Sequence, residues 1–114
     1  MKRQHEDLLR KLALNDEGAI GSVFALPASG ADPSGVDAKT YALVRLAGLI
    51  AIGSSSASYQ WSVASSVAAG ATDDEIIGVL TAVAPIVGLA RVNSAAPEVA
   101  LAIGCDLDLP HRFE

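Results

Sequence analysis

The chain of 114 residues is 51% apolar, 4% aromatic and 18% charged, which excludes a second domain by length and disorder by hydrophobicity. Its 8 Lys and Arg against 13 Asp and Glu leave a net charge of −5, an acidic balance that argues against nucleic acid as a partner. Ala, Gly and Ser fill 42 positions (21, 10 and 11), so a lone subunit has a thin core that close helix packing or subunit assembly must supplement.

Leu8, Leu9, Leu12, Ile20 and Val23 recur at three-to-four spacing, with Asn15 and Gly18 as interruptions. The first 26 residues are therefore expected to form one broken or two short amphipathic helices, a peripheral arm. Pro27 to Gly35 (PASGADPSG) has the composition of a turn region, completing an N-terminal arm and loop over residues 1–35.

Asp37 offers a cap for a helix from Ala38 to Ile52, apolar nearly all round and closed by Gly53. Ser54, Ser55 and Ser56 are candidate caps for the next helix, Ala57 to Ala69, which stops at Gly70. Thr72 with Glu75 three residues on spells a capping box, the sharpest local signal in the chain. The helix it opens runs to about Val87, Gly88 breaks it, and a last stretch from Leu89 to Ile103 ends at Gly104 despite Pro97. No run of alternating β-branched residues interrupts this pattern, so the fold is read as all-α: one domain, with its helical core over residues 36–106 and a tail over residues 107–114. The most apolar run, Ile76 to Ala90, is too short to span a membrane and contains Gly78, Pro85 and Gly88. One cysteine, and no secretory leader before the charged segment Lys2 to Lys11, make the cytoplasm the expected compartment.

Groups able to do chemistry are sparse. Between Ala38 and Thr72 there is no Asp, Glu, His or Cys, and Lys39 and Arg45 are the only charges. His5 and His111 sit in polar terminal segments and read as solvated side chains. Cys105, at a helix end with Asp106 beside it, reads as a structural or incidental thiol. Two distant histidines and one cysteine make no metal site, and no cofactor is implied.

Three segments carry a resemblance to a known family: Val36-Asp37-Ala38-Lys39-Thr40 opening one helix, Gly70-Ala71-Thr72-Asp73-Asp74-Glu75-Ile76 opening another, and Ala84-Pro85-Ile86-Val87-Gly88-Leu89-Ala90-Arg91-Val92-Asn93. Over roughly Asp37 to Asp106 the chain resembles the carboxymuconolactone decarboxylase and alkylhydroperoxidase D-like group. The resemblance implies an all-α core with a central antiparallel helical hairpin, assembled as a homo-oligomeric trimer or hexamer. It also implies activities that range from lactone decarboxylation to thiol-dependent peroxide reduction.

The redox members of that group carry a Cys-x-x-Cys pair and a His. Measured back from Gly70, these positions fall on Ser55, Ser58 and Ser62, and the group's upstream Glu falls near Ala42 or Leu43. A serine hydroxyl is neither populated as an anion near neutral pH nor able to pass to a disulfide, so peroxidase activity by that route is expected to be absent. Ser55, Ser58 and Ser62 remain candidate catalytic positions, with no base in their own segment.

Arg45, Tyr59 and Trp61 are the candidate ligand-binding residues, lining a small cavity with Ser58 and Ser62. Against this stands subunit packing by Tyr59 and Trp61 and charge pairing by Arg45; Arg91 and Asn93 read as partners for helix-end carbonyls. The expectation is a divergent family member without thiol peroxidase activity that binds a small, partly apolar or anionic molecule. Two alternatives stand beside it: a lactone decarboxylase or lyase using Arg45 and an acid from another subunit, and a non-catalytic assembly module.

Overall fold

Helix ends need partners for backbone groups that no turn of helix supplies, and at several described helices a nearby side chain supplies one. The computed structural model describes residues 2–24 and 35–105; most of the Pro27–Gly35 loop, the tail over residues 107–114 and His111 lie outside the described residues. Six helices are described and no strand: α1 (Lys2–Ala13), α2 (Glu17–Phe24), α3 (Ala38–Ile52), α4 (Ser56–Ala68), α5 (Asp73–Val87) and α6 (Leu89–Ala102). The fold is all-α. The chain divides between Gly35 and Val36 into two units.

In the first unit the arm is two helices. Asn15, with φ of 58°, ends α1 while the Asp16 amide donates back to the Lys11 carbonyl (2.9 Å). Asp16 then caps α2 by accepting the Ala19 amide on its carboxylate (2.9 Å). The break is therefore at Asn15 alone, and Gly18 lies inside α2. Half-buried Leu8 and Leu12 of α1 share this hairpin with buried Ala19 of α2.

The second unit is a four-helix arrangement in which α3 packs on α4 and α5, and both of those pack on α6. Asp37, Ser55 and Thr72 cap α3, α4 and α5 by accepting the amides of Thr40, Ser58 and Glu75. The capping box is complete, since the Glu75 carboxylate accepts the Thr72 amide in return (2.9 Å). Pro85 and Pro97 sit inside α5 and α6, where each removes one ladder donor; both are exposed, so water can reach the carbonyls they release.

Three residues join α3 to α4, a length that turns the chain back into an antiparallel hairpin. The core joins Leu46 and Ile50 of α3, Tyr59 and Val63 of α4, Ile76 of α5, and Ala95 and Val99 of α6, with Ala71 at the α4–α5 turn. Alanine at position 95, with no exposed surface, is what lets the helices approach closely there.

Candidate functional site

The α3–α4 turn and the start of α4 hold the residues that the sequence singles out. Ser55 Oγ accepts the Ser58 amide (3.2 Å) and donates to Ser58 Oγ (3.1 Å), so the two side chains form a pair at the head of α4. With its own lone pair so engaged, the Ser58 hydroxyl keeps its proton for a further acceptor. Ser62, one turn on, is buried, and its carbonyl accepts the Ser66 hydroxyl (2.9 Å).

Tyr59 and Trp61 separate. Two residues apart on a helix they point about 200° apart. Tyr59 is 1% exposed in the core, whereas Trp61 is 71% exposed. The Tyr59 hydroxyl donates to the Leu49 carbonyl (3.2 Å) and accepts the Ser54 amide (3.1 Å), so it clamps the end of α3 to the turn. Its role in the geometry is to hold the turn from below.

Arg45 lies on α3 two turns before Gly53, about 12 Å along the helix axis. Its guanidinium stacks over the Tyr41 ring (5.4 Å to the centroid) and donates to the Tyr41 hydroxyl (3.3 Å). The cation at the turn is Arg91 of α6. Gly53 has φ of 74°, and a Cβ there would collide with the Arg91 guanidinium. Sequence reading placed Arg91 at helix-end carbonyls; only the packing of α6 against α4 brings it to Gly53, and no local pattern in the sequence signals that approach.

The next helix start along the chain, that of α5, is closed by charge. Lys39 Nζ donates to Glu75 Oε2 (2.9 Å) while the other carboxylate oxygen accepts the Thr72 amide. The Thr72 amide, then Lys39, hold the Glu75 carboxyl below its ordinary pKa, and Glu75 raises that of Lys39. Asp37 is held low by its hydrogen bonds to Thr40.

Among the described residues no three His, Cys, Asp or Glu side chains gather to hold a metal ion. Cys105 is exposed at the end of α6. In the first unit, Asp7, Lys11, Asp16 and Ser22 border a groove of about 340 Å³ between α1 and α2, far in sequence from the serine pair. No described helix is long and apolar enough to cross a membrane.

Among known proteins, the model of the carboxymuconolactone decarboxylase family matches residues 23–102. This match begins inside α2, earlier than the resemblance at Asp37, and takes in all of α3 to α6. No curated protein and no solved structure matches the chain.

Proposed function

The chain belongs to the carboxymuconolactone decarboxylase family, and from that premise we propose that it is a divergent member without thiol peroxidase activity that binds a small carboxylate at the head of α4. One observation carries the proposal: the side chains of Ser55 and Ser58 stand 3.1 Å apart where the resemblance puts a reactive cysteine pair. The two hydroxyls stand within hydrogen-bond distance but have no redox chemistry, because oxygen at these positions supplies neither a thiolate nor a disulfide.

What remains suits recognition of an anion. The head of α4 carries the positive end of the helix dipole with no acidic side chain in its first turn. The Ser58 hydroxyl has a proton to donate, the Arg91 guanidinium lies against Gly53, and Trp61 supplies an apolar face one turn along from Ser58. In this reading Tyr59 is the frame and Arg45 a surface group. The chain also self-associates, for which the family resemblance implies a trimer or hexamer, and it works in the cytoplasm, where a single cysteine faces no oxidant.

Two measurements test the reading. With a dithiol reductant the protein should consume no peroxide; robust turnover that disappears in Cys105→Ser overturns the loss of thiol chemistry. Titrated with benzoate, the amides of residues 56–58 should shift in NMR spectra, and Ser58→Ala and Arg91→Ala should each weaken binding while Arg45→Ala leaves it unchanged. Equal affinity in all four proteins removes the site.

A further inference from the structure

Ser62 is only 6% exposed, yet its hydroxyl forms no hydrogen bond with any described residue. Its carbonyl is engaged instead, accepting the Ser66 hydroxyl (2.9 Å). A serine inside a helix can satisfy its hydroxyl on the carbonyl four residues earlier. Ser66 does so on Ser62, and Ser62 does not do so on Ser58. A polar group withdrawn from water without a partner costs free energy, and each one in a native fold calls for an explanation. No described side-chain nitrogen or oxygen shut away from the surface lacks a partner, so the Ser62 hydroxyl keeps an opening to the outside. A hydroxyl held in a nearly buried residue and open on one side offers a donor and acceptor that a ligand can complete.

We infer that Ser62 is the specificity-determining residue of the carboxylate site, and that the ligand carries a second oxygen at its far end: a hydroxy acid rather than a plain apolar acid. The inference rests on the proposed carboxylate site and names the ligand class that it selects. Ser62 follows Ser58 by four residues, which puts it about 6 Å further along the axis of α4 and about 40° round it, on the same side of the helix. Trp61 lies on the opposite flank of that row, about 60° round from Ser58, and is 71% exposed.

A ligand with its carboxylate at the Ser55–Ser58 head, lying along α4 beside the indole, therefore reaches Ser62 with its far end. The para position of a benzoate ring carries an oxygen about that far from the carboxylate, and the ortho position does not. The Ser62 hydroxyl can donate to that oxygen or accept from it. A methyl group in the same place shuts the hydroxyl off from water and gives it nothing in return. Burial sharpens the choice. A hydroxyl that water reaches freely loses little when a ligand fails to bond it, whereas a nearly enclosed one is left unpaired.

The test titrates the full chain with 4-hydroxybenzoate, its near-isostere 4-methylbenzoate, 2-hydroxybenzoate and benzoate, following the amides of residues 56–62 by NMR. The wild-type protein should bind 4-hydroxybenzoate about threefold to tenfold more tightly than 4-methylbenzoate, the worth of one neutral hydrogen bond. 2-Hydroxybenzoate should show no such advantage over benzoate. Ser62→Ala should abolish the preference by weakening 4-hydroxybenzoate alone, while Ser58→Ala should weaken both para ligands alike. Because the Ser62 hydroxyl has no partner in the fold, Ser62→Ala should keep its urea midpoint at or above that of the wild type; a lower midpoint assigns the hydroxyl a structural role and overturns the inference. Equal affinity of the wild type for the two para ligands, or a preference that survives in Ser62→Ala, also overturns it and leaves the carboxylate site standing. Failure of every benzoate to bind removes both.

Discussion

The heads of α4 and α5 solve the same problem with opposite means. Each begins with a hydroxyl cap that accepts the amide three residues on, at 3.2 Å for Ser55 and 3.1 Å for Thr72. At α5 the third residue is Glu75, which returns a bond to the cap and takes Lys39 from α3, so the positive end of the helix meets a fixed negative charge. At α4 the third residue is Ser58, no acid is present in the first turn, and the nearby cation Arg91 forms no ion pair with a described residue. The first head is complete within the subunit. The second has donors to spare, and the proposed binding end rests on that difference rather than on any single serine.

The comparison can be broken or sharpened by substitution, beginning beneath the α4 head. Tyr59→Ala removes a 1%-exposed side chain and both of its clamps, and should cost about 3–5 kcal/mol in urea unfolding. Tyr59→Phe keeps the volume and should cost about 1–2 kcal/mol, the value of the lost hydrogen bonds. Gly53→Ala should lose about 1–2 kcal/mol from its left-handed backbone and displace Arg91, so benzoate affinity should fall with stability. If affinity survives that displacement, Arg91 has no part in the site.

Thr72→Ala and Ser55→Ala should each cost about 1 kcal/mol as lost caps, but only Ser55→Ala should weaken benzoate binding. Equal effects on binding would erase the distinction between the two heads. The charges at α5 should also appear in the pH dependence. Glu75 and Asp37 are held below their ordinary values of 4.5 and 3.8, so their contribution is full above those values and is lost as pH falls through the lower folded ones. Lys39 is raised above 10.5, so its contribution is present below that pH and is lost as pH climbs through the folded value. Glu75→Gln should flatten part of the acid limb in thermal unfolding while leaving benzoate binding unchanged. The smallest effect is expected from Arg45→Ala, within about 1 kcal/mol for an exposed cation stacked on Tyr41.

Legibility followed range. The caps at Asp37, Ser55 and Thr72, the stops at Gly53 and Gly88 and the capping box all lie within four residues of the groups they satisfy. Chain order therefore displays them directly. The serine pair was legible for the same reason, both members being on one turn. The divergence of Tyr59 and Trp61 was also written in the sequence, since positions two apart on a helix cannot face one pocket. Reading them as a cluster overlooked that angle.

What the sequence determined by itself was the all-α class, the helix boundaries to within a residue or so and serine rather than cysteine at the head of α4, because these depend on local backbone bonding and side-chain identity. Tertiary structure decided which cation reaches that head. Arg91 lies 38 positions after Gly53 in the chain, and only the packing of α6 against α3 and α4 places it there, since contact between distant segments is set by the shared core and not by any spacing along the backbone.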